Sequence, residues 1–218
     1  MDKRLEAALP FLNGHKALYD VGTDHAYFPI EAIKQGRIKQ ALAIDNKRGP
    51  LLAARNHIEK AGLDAQIKTL QADGLAALTP SIDVVMIAGM GGATITDILL
   101  SHDHLNVKRL ILQPNNNTAA IRRYVNTAPY RIGDEVIVKQ KNEYYFILVL
   151  DRASENTSPS DPFISFSLLN KKDTLYHEYV QKRYRHLNGL LEKIPDTTQK
   201  PVFSEELASL RRILDEWH

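Results

Sequence analysis

Five short β-rich runs constrain this chain more than any other feature: ALYDV (17–21), ALAID (41–45), AQIKTL (65–70), IDVVMIA (82–88) and RLILQ (109–113). Several are nearly continuous apolar, as strands are when helices cover both faces of a parallel sheet. Helix-like spacing fills 30–35, 50–61, 92–100 and 118–127, and Gly62 stands where a helix can end in a left-handed residue. The rhythm then changes. YRIGDEVIVKQ (130–140) and NEYYFILVLD (142–151) lie too close for a crossover, so they pair antiparallel. The expectation is an α/β, doubly wound sheet closed by an antiparallel C-terminal hairpin.

The Ser-, Pro- and Asp-rich stretch 151–162 reads as a linker. It separates a sheet domain, 1–152, from a small helical domain, 163–218, with 153–162 between them. Helical patterns run over 163–193 and 204–217, and Ser204 before Glu205 and Glu206 predicts an N-cap. The length of 218 residues suits one substantial domain with such an appendage. Without cysteine, disulfides and thiolate metal sites are unavailable, which fits a reducing cytoplasm. His102 and His104 are too isolated to make a metal ligand set. The longest apolar run, 144–150, falls well short of the ~20 residues a membrane helix needs, and 1–12 lacks a signal peptide's apolar core. A cytoplasmic protein without a membrane partner is expected.

The functional signal lies at the strand ends. Pro29 fits a helix only in its first turn, so the helix after the first strand starts near Tyr27 and leaves Gly22 to His25 as a loop. In open α/β sheets, ligands bind at this carboxyl edge. Asp20 and Gly22 close the first strand, Asp45 and Asn46 the second, and Asp73 and Gly74 the third. AGMGG (88–92), with Gly89 and Met90, closes the fourth, and QPN, with Gln113 and Asn115, the fifth. Asp45 can accept hydrogen bonds from ribose hydroxyls, and Asp73 can meet an exocyclic adenine amine. Each residue alone is equally well a turn or a cap; their conjunction on one edge carries the weight. A dinucleotide fingerprint needs G-x-G-x-x-G. VGTDHAY has one glycine and puts Asp24 where a pyrophosphate would sit. Carboxylates suit the cationic sulfonium and ammonium of S-adenosylmethionine instead.

The hairpin ending resembles class I methyltransferases, whose sheet is Rossmann-like. More narrowly, DVGTDHAY (20–27), IAGMGG (87–92) and LQPN (112–115) resemble the bacterial tRNA (adenine-N1)-methyltransferases of the TrmK family, which modify adenine 22 of tRNA. The resemblance covers roughly residues 3–150 and continues in outline through the C-terminal helices, which in that family form a coiled-coil-like domain. It implies S-adenosyl-L-methionine as cofactor, held around Gly22, Asp45, Asp73, Gly74, Gly89 and Met90. It implies that Asp24, with His25 and Tyr27 beside it, faces the target base. Two positions depart from the family: Asp45 replaces a frequent glutamate and keeps the carboxylate, and Tyr124 stands where tryptophan is common.

For RNA, 171–193 holds six Lys/Arg against three acids, with Tyr176, Tyr179 and Tyr184 interleaved. Lys182, Arg183 and Arg185 are the candidate contacts to tRNA. The competing explanation is a solvated helix packing its tyrosines inward. Two functional alternatives stay open: a non-catalytic RNA- or protein-binding module, and a small-molecule methyltransferase.

Overall fold

The computed structural model describes residues 2–76, 81–102, 106–153, 160–194 and 199–217, the side chains of 81 and 82 excepted. Seven strands form one sheet in the order β3-β2-β1-β4-β5-β7-β6. They are β1 (Ala17–Val21), β2 (Gln40–Asp45), β3 (Ile67–Gln71), β4 (Ser81–Gly91), β5 (Asn106–Asn116), β6 (Tyr130–Gln140) and β7 (Glu143–Arg152). β1 to β5 pair parallel, while β7 inserts antiparallel beside β5 and pairs antiparallel with β6. The expected hairpin and doubly wound sheet are both present.

Alternation along the central strands divides the core. Val85, Ile87, Leu110, Leu112, Leu148 and Leu150 point to one face, and Val84, Met86, Ile111 and Ile147 to the other. The second face is covered by α1 (Lys3–Ala8) with the 3-10 turn Leu9–Leu12, α2 (Tyr27–Lys34) and α3 (Arg48–Ala61). The first is covered by α4 (Gly92–Leu100), α5 (Thr118–Val125) and the C-terminal helices α6 (Phe166–Asn170), α7 (Thr174–Leu191) and α8 (Lys200–Glu216). Gly62 ends α3 at φ 68°, as its position predicts.

The C-terminal region differs from expectation in two respects and decides between two open readings in a third. The pattern over 163–193 is two helices, because Lys172 adopts φ 50° and the Asp173 carboxylate caps α7 by accepting from the amides of Leu175 and Tyr176. The last helix begins at Lys200, not Ser204: Pro201 is accommodated in its first turn, and the Ser204 hydroxyl donates back to the Lys200 carbonyl within the helix. The tyrosines turn inward. Tyr176 is 1% exposed, and Tyr179 and Tyr184 pack against the same cluster as the sheet.

A buried polar seam joins these helices to the sheet. Arg122 of α5 is ion-paired with Glu135 of β6; Glu135 also accepts from the Ser165 hydroxyl, and the Ser165 amide donates to the Tyr176 hydroxyl. Burial pulls the guanidinium pKa down, but Glu135 outweighs it, so Arg122 stays charged.

Candidate active site

At the end of β1 the chain crosses over β2, with the amides of Gly22 and Thr23 both donating to the Ile44 carbonyl (2.8 and 3.0 Å). The backbone then takes left-handed conformations at Gly22 (φ 73°), Asp24 (φ 53°) and Ala26 (φ 56°). For Asp24 and Ala26 this costs on the order of 1 kcal/mol each. A Cβ on Gly22 would collide with Met90 Cε, so glycine there lets the β1 loop pass the β4 loop. Ala26 starts α2, with Pro29 in its first turn as the sequence predicts.

This turn separates two aspartates. Asp20 is buried, and its carboxylate accepts from the Thr23 hydroxyl at 2.6 Å. Burial, with a smaller push from Asp45, raises its pKa to about 6 against the opposing Thr23 bond. Asp24 points outward: its side chain is 70% exposed, and its Oδ1 lies 3.6 Å from His25 Nε2, beyond hydrogen-bond reach. Beside it, His25, Tyr27 and His57 form a ring cluster with centroids 5.1–5.4 Å apart, and Tyr27 is half exposed. The His57 ring also meets the His25 carbonyl (Nδ1···O 3.1 Å).

The other strand ends complete the edge. Asp45 accepts from the Lys47 amide (2.9 Å), and the Asn46 carbonyl accepts from the Gln71 side chain (3.1 Å). Asp73 is exposed, and Gly74 (φ 55°) backs onto Ile98. Gly89 (φ 76°) has open space where a Cβ would project, and its carbonyl accepts from the Asn115 amide group (2.6 Å). The structure therefore gathers Asp20, Gly22, Asp24, His25, Tyr27, Asp45, Asn46, Asp73, Gly74, Gly89, Met90 and Asn115 on one edge. Gln113 is at the same edge but buried, its side chain donating to the Pro114 carbonyl (2.9 Å), so it does not present itself to a substrate.

The three α7 cations differ from one another in role. Arg183 makes a two-pronged pair with Glu206 of α8 (2.7 and 2.9 Å), and Lys182 donates to the Asn142 carbonyl (2.9 Å). Arg185 is exposed. Sequence reasoning missed two neighbours of the site. His57 has no local signal, since only tertiary packing brings α3 to the β1 loop. Arg4 reaches Asn115 (3.2 Å) and lies over the Tyr145 ring at 4.6 Å; the charged and apolar alternation of 1–12 was its only hint.

Carboxylates at the ends of β1 and β2 and beyond β3, with a single glycine in the β1 turn, make a set suited to a cationic, ribose-bearing cofactor. The open space at Gly89, which any side chain would fill, gives it room. The fold and this edge define a class I, S-adenosylmethionine-dependent methyltransferase.

Within that class the sequence is decisive. The model of the tRNA (adenine(22)-N(1))-methyltransferase family matches residues 18–213, and the chain belongs to that family. The Bacillus subtilis tRNA (adenine(22)-N(1))-methyltransferase is 31% identical, the match covering 99% of this chain and 96% of that one. Streptococcus pneumoniae Sp1610 in complex with S-adenosyl-L-methionine superposes with a TM-score of 0.86 at 33% identity, over 98% of this chain and 99% of that one. M. capricolum TrmK with S-adenosyl-homocysteine does so at 0.81 and 27%, over 99% and 98%.

Proposed function

We infer that this chain methylates N1 of adenine 22 in tRNA, with Asp24 as the residue that meets the target base. The observation supporting this reading is the opposed setting of two aspartates four residues apart: Asp20 buried in the crevice, Asp24 exposed beside an open ring cluster. When bound, S-adenosylmethionine supplies an electrophilic methyl group. Asp45 and Asn46 would hold its ribose, Asp73 and Gly74 its adenine, and Asp20 its cationic end, with Gly22, Gly89 and Met90 lining the passage.

N1 has an in-plane lone pair, so the protein's main task is placement. N1 also lies on the Watson–Crick edge, so the nucleotide must be unpaired or flipped out. Tyr27, with His25 and His57 around it, gives the extruded base a stacking surface, and Asn115 meets its polar edge. Asp24 accepts a hydrogen bond from the N6 amine, stabilises the positive charge that develops on the ring, and takes the surplus proton as general base. Lys182 and Arg185 contact the RNA backbone, whereas Arg183 serves to hold α8 through Glu206. Residues 1–152 thus act as the catalytic part and 163–218 as the RNA-gripping part. The substrate places the enzyme in the cytoplasm.

The test is labelled methyl transfer to unmodified tRNA and to the same tRNA with adenine 22 replaced, followed by nucleoside analysis. 1-Methyladenosine forming only with the first is expected. Methylation unaffected by the replacement would overturn the assignment of the target.

A further inference from the structure

A second concavity, of about 570 Å³, opens between α5, the start of β7 and the C-terminal helices. That volume falls in the range of ligand sites, roughly 300–1,000 Å³. Its wall begins at Asn116, Asn117 and Thr118, directly after Asn115, so it adjoins the catalytic edge without belonging to the cofactor crevice. The β4 loop is pressed against this wall: a Cβ on Gly92 would strike the Asn117 carbonyl.

The lining pairs cations with rings. The Arg123 guanidinium lies 5.1 Å from the centre of the Phe163 ring, and the Lys182 ammonium 5.1 Å from that of Tyr144. Arg123 is exposed and makes no ion pair among the described residues. Arg122, only 3% exposed, also lines the groove and leaves its Nε without a hydrogen-bond partner. Of the two acids present, Glu206 is engaged by Arg183, leaving Glu143. A planar apolar wall beside the one guanidinium of the lining that has no ion pair among the described residues, that of Arg123, suits a nucleotide: the base stacks on a ring, and the phosphate meets the cation.

We propose that this groove binds a nucleotide of the RNA substrate next to the methylated one, with Phe163 stacking its base and Arg123 contacting its phosphate. The proposal rests on the reading of the chain as a tRNA methyltransferase. It adds a second grip on the strand, fixing the register in which the target reaches Asp24.

The experiment uses the full chain carrying Arg123→Ala, Phe163→Leu or Glu143→Gln. It measures tRNA affinity by filter binding over a salt series, S-adenosylmethionine affinity by calorimetry, and kcat at saturating tRNA. Arg123→Ala should weaken tRNA binding about 5–10-fold and reduce the magnitude of the log–log salt slope by about 0.7–0.9, as loss of one phosphate contact does. Phe163→Leu should weaken binding with the slope unchanged. Glu143→Gln should tighten binding about twofold, a gain that a structural role would not produce. Cofactor affinity should hold in all three. Unchanged tRNA binding in Arg123→Ala and Phe163→Leu overturns the proposal, as does a defect confined to cofactor binding or kcat. A wild-type protein that binds tRNA without methylating it would instead fault the proposed activity, and the binding comparison would still decide the groove.

Discussion

β1 and β4 lie side by side, and each carries an aspartate near one end, at opposite edges of the sheet. At the amino edge, Asp83 accepts from the amides of Lys16 (2.6 Å) and Ala17 (3.3 Å) and from Lys108 (3.1 Å), with His15 at 3.3 Å. Burial works against its charge, but these partners prevail and hold its pKa well below the usual carboxylate range. At the carboxyl edge, Asp20 has one hydroxyl partner and a pKa raised to about 6. The same side chain is satisfied by the protein at one edge and left under-partnered at the other. The amino edge holds the sheet to its entering loop; the carboxyl edge keeps its polar capacity for a ligand.

Substitutions should separate these roles, the largest effect coming from Asp24. Asp24→Ala should lower kcat about 10²–10⁴-fold, the usual worth of general acid–base catalysis, while cofactor affinity and melting temperature stay near wild type. Asp24→Asn keeps the size and an acceptor, so activity well above that of the Ala variant would reduce Asp24 to a positioning role. Asp83→Ala should do the reverse. Denaturant unfolding should show a loss of about 2–3 kcal/mol as backbone amides lose their acceptor, with kcat per folded molecule unchanged. Asp20→Asn should weaken S-adenosylmethionine about 10–100-fold, the range for one charge-assisted hydrogen bond, as read by calorimetry.

The two edges also titrate with opposite signs. Folding lowers the Asp83 pKa, so its contribution is present above about pH 4 and is lost as pH falls. Folding raises that of Asp20, so the unliganded protein loses stability as pH climbs from about 4 to about 6 and not beyond. A cation bound beside Asp20 favours its ionised form. Cofactor affinity should therefore rise through pH 6 to a plateau, and Asp20→Asn should flatten the profile. A rise that survives in the Asn variant would assign the titration elsewhere.

The carboxyl edge was legible because strand order and a single proline fix where loops must fall: Pro29 alone placed the β1 turn. The ring partner His57 was not, since it comes from a helix 30 residues away in sequence, and no local pattern distinguishes it from a solvated residue. The C-terminal helices left two readings open for a different reason. Tyrosine interleaved with lysine fits an RNA-facing surface and a snorkelling, inward-packed helix equally well. Only the apolar face waiting on the sheet decides between them. Similarly, Ser204 is a good cap in isolation, but Pro201 can begin the helix a turn earlier and does.

That waiting face has a consequence for how the chain is made. Leu168, Tyr176, Val180, Leu187, Leu210 and Ile213 share one apolar cluster with Val85, Leu110 and Leu148. The ribosome completes the last strand at Arg152 with more than 60 residues still to be added. At about 5–20 residues per second, roughly 3–13 s pass before the cover exists. During that interval α4 and α5 alone cover this face, and the part reserved for α6 to α8 stays open to solvent. A chain terminated at Arg152 would display it permanently.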